Sequence, residues 1–425
     1  MNVKEFYPIY LNHPEIVTDS RKITKDCLFF ALKGANFNGN KFAEKALEDG
    51  AAFAIIDEPE YKKNDKYILV NDVLVFLQNL AYTHRKNLNI PFIGIGGSNG
   101  KTTTKELTKA VLGTTFKTYG TEGNLNNQIG VPLTILKIKK DAEMAVIELG
   151  ANHLNEHEFL CTIVEPDFAI VTNNGKDHLE GFGSIEGVKK ANAEIFDFMR
   201  HHKGKIFLNI DHQDLIERAF DIDAITYGKS ENAKVQAKIL GNQNLLSIYW
   251  TSENLTINTQ LFGDYNFENV LAAITIGNYF DVKPEKIKQA IENYSPNLNR
   301  SQILEHNGNT LILDCYNANP SSMALALDSF EKLDKPKKMI ILGDMLELGE
   351  AAANEHYEML NKVKNQHFEV KIFVGPEFLK YKFEADAFFF KTNEEAKLWF
   401  SQQAFEGYQI LLKGSRGIAV EKVVM

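Results

Sequence analysis

A chain of 425 residues is too long for one module at roughly 100–200 residues per domain, and it predicts two or three. Its 44% hydrophobic and 24% charged residues match ordinary globular chains, which excludes the disordered and collagen-like classes. Lys plus Arg at 47 against Asp plus Glu at 56 leaves a net charge of −9, so attraction to nucleic acid or anionic lipid by bulk charge is disfavoured and an anionic ligand must be met by local devices.

The first segment, residues 1–86, carries short apolar runs at Cys27–Leu32 and Ala52–Ile56, broken by Gly34, Asn38-Gly39-Asn40 and Gly50. Between them Phe42, Ala43, Ala46 and Leu47 recur at helical spacing, so a small α/β unit is expected, closing on a helix over Val73–Arg85 and a linker at Asn87–Pro91. The second segment, 87–298, opens with the buried-strand pattern Phe92–Ile95, a glycine cluster and a helix over Lys101–Leu112. Apolar runs at Ala145–Ile147, Phe168–Val171 and Lys205–Leu208 then alternate with helical stretches such as Ile185–Met199, the pattern of βαβ units on a mostly parallel sheet. Asp223–Leu261 alternates like an antiparallel annex, and Phe267–Phe280 reads as an apolar helix. After a break at Ser295–Asn299, strands at Thr310–Leu313, Lys338–Leu342, Lys371–Val374 and Gln409–Leu412 separated by helical segments make 299–425 a third, smaller α/β domain.

Cys27, Cys161 and Cys315 are far apart and odd in number, which suggests neither disulfides nor a zinc site and points to a reducing compartment. The N-terminus, with Lys4, Glu5 and Glu15, lacks a signal-peptide core, and no apolar run approaches the ~20 residues of a spanning helix. A soluble cytoplasmic protein with no membrane insertion and no nucleic-acid partner is expected.

The strongest motif is Gly94-Ile95-Gly96-Gly97-Ser98-Asn99-Gly100-Lys101-Thr102-Thr103, between an apolar strand and a helix. Glycines let backbone N–H groups wrap a polyphosphate, the helix N-terminus adds its positive dipole end, Lys101 reaches the β- and γ-phosphates, and Thr102 can ligate Mg²⁺. Ile95 stands where the strict pattern has glycine, so the flanking strand and helix carry the assignment. Glu148, ending the run Ala145–Ile147, and His178, a short loop after Val171, stand where catalytic groups gather beyond the carboxyl ends of strands. Taken alone, Glu148 could equally cap a helix and His178 could be a surface histidine.

The order Gly97–Thr103, Gly123–Thr134, Glu148–His153, His178–Ser184, Asn266–Ala273, Asp314–Pro320, Gly343–Gly349 and Lys413–Gly417 resembles the Mur ligases over all three segments. The resemblance implies an ATP- and Mg²⁺-dependent ligase of peptidoglycan precursor synthesis that joins D-alanyl-D-alanine to UDP-N-acetylmuramoyl-tripeptide through an acyl phosphate. It implies a UDP-substrate domain (1–86), a central P-loop domain (87–298) and a Rossmann-like C-terminal domain (299–425) that supplies adenosine contacts and the dipeptide's site, in a monomer. By this likeness Gly97, Ser98, Asn99, Gly100, Lys101, Thr102 and Thr103 cradle ATP, Thr102 ligates the first Mg²⁺, and Glu148 with His178 holds the second. Asn269 meets adenine, while Arg300 and Asp314 reach the γ-phosphate and ribose, so domain closure on ATP is expected. Substrate binding falls to Ser20, Arg21, Asn126, Asn127, Asn317 and Asn319.

Two departures stand out. Asn38-Gly39-Asn40 replaces the commoner Asp-Gly-His, and Asn192 occupies the place of a lysine that many Mur ligases carbamylate as an anionic metal ligand. On a helix Lys190 points away from Asn192's face and Lys189 lies one turn back on nearly the same face, and the expectation is an enzyme without a carbamate. Two rivals stay open: a ligase adding a single amino acid, of the Mur or folylpolyglutamate type, and a nucleotide-binding protein without ligase activity. The third residue of the tripeptide is not readable.

Overall fold

The computed structural model describes residues 1–241, 245–297 and 299–425. Leu298, the last residue of the expected central segment and part of the expected break, lies outside the described residues. The fold is α/β, with three sheets that are mainly parallel, as the alternating pattern predicts. The chain packs as two compact units: Met1–Gly94 with Phe116–Gly150 and His157–Phe168, and Ile95–Thr115 with Ala151–Glu156 and Ala169–Met425.

In the first unit, strands Ile16–Val17, Leu28–Phe30, Phe53–Ile56 and Tyr67–Leu69 form a parallel sheet in chain order. The core under it is made by Val17, Phe29, Ala31, Ala54 and Ile56. The helix Val73–Lys86 starts where Asp72 accepts a hydrogen bond from the Val75 amide, satisfying one of the N–H groups a helix start leaves open. Its last turn is anchored: the buried Arg85 donates to the carbonyls of Val164 and Glu165 at 2.7 Å, pairs with Asp167 at 3.0 Å, and stacks 4.0 Å from the Phe92 ring centroid. The expected linker at Asn87–Pro91 is a packed turn, with Leu88 buried. Thr118–Gly120 pairs in parallel with Met144–Glu148, Gly120 opposite Val146, which brings Thr121 beside Glu148.

In the second unit, strands Phe168–Val171, Lys205–Asn209, Ala224–Gly228, Val235–Ile239, Leu245–Trp250 and Leu255–Phe262 lie side by side in that order. The first of the annex strands is parallel to its neighbour and the last three are antiparallel. The helix Phe267–Tyr279 buries Val270, Leu271, Ala272, Ala273, Ile274 and Ile276 around its whole circumference, as an element enclosed on all sides must.

The C-terminal sheet has six strands in the order Gln302–His306, Asn309–Leu313, Gln409–Lys413, Lys338–Gly343, Val370–Val374 and Phe388–Phe390. Four were legible; the hairpin strand Gln302–His306, with two apolar residues, and the edge strand Phe388–Phe390, only three residues long, were not, both being partly exposed. Leu313 pairs with Leu412, so Asp314 and Lys413 emerge side by side from adjacent strand ends. The three cysteines are buried and free. Among the described residues no helix is long and apolar enough to cross a membrane.

Candidate active site

The glycine-rich loop leaves the strand Phe92–Gly96 and enters the helix Lys101–Leu112 through Gly97 (φ +111°) and Gly100 (φ +84°). A Cβ on Gly100 would collide with Oδ1 of Asn269, so glycine is required there by conformation and by space together. The loop is backed by Asn173: the Ser98 amide donates to its carbonyl at 2.9 Å, the Asn99 amide to its Oδ1 at 3.1 Å, and its Nδ2 returns a bond to the Asn99 carbonyl. Lys101 Nζ lies over the loop, donating to the Gly97 carbonyl and to that of Ser98 at 3.0 Å. Thr102 is buried at the first helical turn and Thr103 is half-buried.

Asn269 is neither a cap nor solvent-facing. Buried on the apolar helix, its Oδ1 accepts from Thr104 at 3.1 Å and its Nδ2 donates to Asn266 at 3.0 Å, so it braces the start of the loop's helix. The C-terminal segment reaches the same loop: Asn319 Nδ2 donates to Asn99 Oδ1 at 2.8 Å, and the Lys176 amide donates to Ser321 Oγ at 2.9 Å. Asn319 also caps the helix Pro320–Glu331 in a reciprocal box with Ser322. Asn317 is exposed, its Oδ1 accepting from the Ala318 amide.

His178 takes a left-handed backbone (φ 46°) at the start of the short helix Leu179–Phe182, and its Nδ1 bonds Glu347 Oε2 at 2.8 Å. This bond holds the Glu347 carboxyl below its ordinary range. Lys176, two residues before His178, pairs with Glu355 at 2.6 Å. Asn192 is buried and donates to Asn174 Oδ1 at 2.8 Å, while Asn174 donates to Asp214 at 2.7 Å. Lys189 instead lies outside, paired with Glu186 at 2.9 Å.

Asp314 is held from three sides: by Lys413 at 2.6 Å, by the Ser301 amide at 3.2 Å and by the Tyr265 hydroxyl at 3.4 Å. Burial pushes the Tyr265 phenol well up, keeping it a donor. Arg300 has no neighbouring carboxylate among the described residues; its guanidinium lies 3.8 Å from the Tyr316 ring centroid.

In the first unit, Glu148 is buried at the end of its strand, its amide donating to Thr121 Oγ1 at 2.9 Å and its Oε1 accepting from Asn126 Nδ2 at 2.8 Å. It caps no helix. Asn126 thus meets the carboxylate directly, and Gly150 carries no Cβ because Asn126 fills that space. Asn127 Oδ1 accepts from the Ile129 and Gly130 amides and turns the chain into the helix Gly130–Leu136. Ser20 lies in a single 3₁₀ turn, and Arg21 is exposed, locked by two 2.8 Å bonds to Asp19, whose carboxyl it holds down to about 2. Asn40, in the departing loop, is fully buried and exchanges bonds with Asp57 at 2.8 and 3.1 Å, so its role there is to fix Asp57.

Sequence reasoning missed Asn173, Asn174 and Glu347. The asparagine pair had a signal, since it follows the apolar run Phe168–Val171 at a strand's carboxyl end. Glu347 lies within the run Gly343–Gly349 but was given no role, because its partner is 169 positions away in a different domain's segment. Among the described residues no three His, Cys, Asp or Glu side chains gather to cage a metal. Taken singly, the hydroxyl of Thr102 and the carboxylate of Glu148 are oxygen donors of the kind Mg²⁺ takes beside water and phosphate oxygens, whereas the imidazole of His178 is a nitrogen donor, less usual for that ion.

A glycine loop at a helix N-terminus, set in α/β segments, defines a P-loop protein. The chain belongs to the Mur ligase family. Its residues 15–99 match the Mur ligase family catalytic domain, 95–277 the Mur ligase middle domain, and 299–416 the Mur ligase glutamate ligase domain. It is 34% identical to UDP-N-acetylmuramoyl-tripeptide--D-alanyl-D-alanine ligase of Bacillus subtilis, covering 96% of this chain and 92% of that protein. It is 31% identical to the Escherichia coli protein of the same name, with the same two coverages. A crystal structure of MurF from Acinetobacter baumannii is similar at 28% identity and a TM-score of 0.85, covering 96% of this chain and 92% of that one.

Proposed function

We propose that this chain is the cytoplasmic ATP-dependent ligase that joins D-alanyl-D-alanine to UDP-N-acetylmuramoyl-tripeptide in peptidoglycan precursor synthesis. The observation that carries the reading is a likeness running the length of the chain, 34% identical over 423 residues to a relative of that name. In this reading 1–86 binds the UDP substrate, 87–298 binds ATP, and 299–425 supplies adenosine contacts and the dipeptide's site.

The chemistry needs a poor electrophile made reactive. A terminal carboxylate oxygen of the tripeptide attacks the γ-phosphorus, ADP leaves, and the acyl phosphate is attacked at its carbonyl carbon by the dipeptide amine, which loses a proton as phosphate departs. Thr102, Glu148 and His178 would hold Mg²⁺, which would supply charge neutralisation at the phosphates. The chain's own residues do the rest by positioning, the chief requirement of phosphoryl transfer. Backbone amides of Gly97–Thr103 wrap the phosphates, and Lys101 moves off the Gly97 and Ser98 carbonyls to the β/γ oxygens. Arg300 meets the γ-phosphoryl group, and Asp314, fixed by Lys413 and Tyr265, accepts from the ribose. Asn269 serves the nucleotide by bracing Gly100 and Thr104. Asn126 orients Glu148, Asn127 shapes the loop beside it, and Asn317 and Asn319 border the acceptor's side. Ser20 and Arg21 meet the UDP moiety, Arg21 exchanging Asp19 for a phosphate.

Phosphate release by the purified protein with ATP, Mg²⁺ and the UDP-tripeptide tests this, comparing D-alanyl-D-alanine, D-glutamate, L-lysine and no acceptor. Release only with a single amino acid overturns the dipeptide assignment. A second reading, a nucleotide-binding protein without ligation, has one observation in its favour: Asn192 is neutral and spends its amide on Asn174. Slow ATP hydrolysis indifferent to acceptor would establish it.

A further inference from the structure

The chain contains six arginines. Four are committed to carboxylates: Arg21 to Asp19, Arg85 to Asp167, Arg200 to Asp197 and Asp221, and Arg218 to Asp197. The remaining two, Arg300 and Arg416, have no carboxylate partner and no side-chain hydrogen bond among the described residues, although acidic side chains outnumber basic ones. Both lie on one ring. The guanidinium carbon of Arg300 is 3.8 Å from the Tyr316 centroid and that of Arg416 is 5.7 Å from it. An aromatic face attracts a guanidinium, but two like charges on one ring repel, and an arrangement of this kind is relieved by anions.

The two cations differ in setting. Arg300 is half-buried, with its Nε buried and without a partner, whereas Arg416 is exposed, just beyond the strand Gln409–Lys413. Lys413 on that strand is already spent on Asp314. Arg416 is thus the free cation on the solvent side of the ring that carries Arg300.

We infer that Arg416, seated on Tyr316, binds the C-terminal carboxylate of the incoming dipeptide. This rests on the ligase reading, in which Arg300 takes the phosphoryl group. The acceptor must present its amine to the acyl phosphate while its own carboxylate, a second anion, is held away from it. Sharing one ring puts the guanidinium carbons of Arg300 and Arg416 no further apart than the sum of their two distances from its centroid. An extended dipeptide covers about 7 Å, so a dipeptide whose amine lies at the Arg300-bound group carries its carboxylate into the neighbourhood of Arg416.

The test is steady-state phosphate release by the full chain with D-alanyl-D-alanine, its C-terminal amide and D-alanine, in wild type, Arg416→Ala, Arg416→Gln and Arg416→Lys, with thermal unfolding of each to show an intact fold. The wild type is expected to favour the free acid over the amide by tenfold or more. Arg416→Ala and Arg416→Gln should raise KM for the dipeptide about tenfold, erase the preference for acid over amide and leave KM for ATP within twofold, while Arg416→Lys restores part of the preference. An acid-over-amide preference that survives in Arg416→Ala, or a KM for ATP that rises instead, overturns the inference. A wild type that releases no phosphate with either dipeptide or amide overturns the ligase reading beneath it, an outcome distinct from the other two.

Discussion

Asn319 and Asn99 are joined by a 2.8 Å hydrogen bond across 220 positions of sequence, so the asparagine that caps a C-terminal helix also holds the side chain of a phosphate-loop residue. The two duties separate by substitution. Asn319→Ala removes both, and loss of the cap alone is expected to cost about 1 kcal/mol, a fall in Tm of a few degrees. Asn319→Ser keeps an N-cap acceptor but is too short to reach Asn99. It is expected to unfold near the wild-type temperature while showing a KM for ATP several-fold higher. Equal KM values in wild type and Asn319→Ser would show that the link to Asn99 has no part in nucleotide binding.

Lys101→Ala removes the one ammonium placed over the loop, now donating to the Gly97 and Ser98 carbonyls. Loss of a single electrostatic donor of this kind lowers kcat by roughly 10²–10³-fold. Acceptor-dependent phosphate release should fall by that factor while the thermal unfolding curve is little changed, since the half-buried side chain packs no core. Full activity in this variant would remove the P-loop mechanism.

The phosphate loop was readable because it is local: glycines, lysine and threonine in ten consecutive residues between a strand and a helix define one chemistry. Strand ends carrying Glu148, His178 and Asp314 were readable for the same reason, each following an apolar run. What fixes those residues was not. Asn126 on Glu148, Glu347 on His178 and Tyr265 on Asp314 are partnerships between polar residues whose own neighbourhoods give no hint of them. Asn269 shows the limit most plainly: on sequence it is a polar residue on an apolar helix, and only the fold reveals that it presses on Gly100. Strand Phe388–Phe390 escaped notice because three residues at a half-exposed edge carry too little pattern to register.

Gly100→Ala tests that contact. The substitution forces a side chain into φ +84° and into the space of Asn269 Oδ1. A left-handed residue with a Cβ costs about 1–2 kcal/mol before any displacement of Asn269. The expected result is a lower Tm together with a loss of ATP affinity, read by calorimetric titration of the nucleotide. Paired with Asn269→Ala, which empties the space, the alanine should regain part of the Tm loss, because the steric part of the penalty disappears while the backbone part stays. No recovery in the double variant would mean the collision is not what makes Gly100 necessary.

Two histidines give the stability opposite dependences on pH. His84 is buried, its Nε2 donating to the Ile138 carbonyl at 2.7 Å and its Nδ1 facing the Tyr7 hydroxyl at 3.0 Å, and burial holds its pKa below the ordinary value. The folded state therefore keeps this ring neutral while the unfolded chain takes up a proton near pH 6.5. Its contribution is complete above about pH 6.5 and is lost as pH falls from there towards the lowered folded value. His212 is the reverse: its hydrogen bond to Glu268 at 2.9 Å raises its pKa, so it adds stability that is complete below about pH 6.5 and is lost as pH rises through the folded value. Unfolding temperatures measured between pH 5 and 9 should separate them. The Tm advantage of wild type over His84→Gln is expected to shrink on going from pH 7.5 to 5. The advantage over His212→Asn is expected to be larger at pH 5.5 than at pH 8.5. A gap that stays constant with pH for either variant, or that moves the other way, would mean that the protonation state assigned to that ring is wrong.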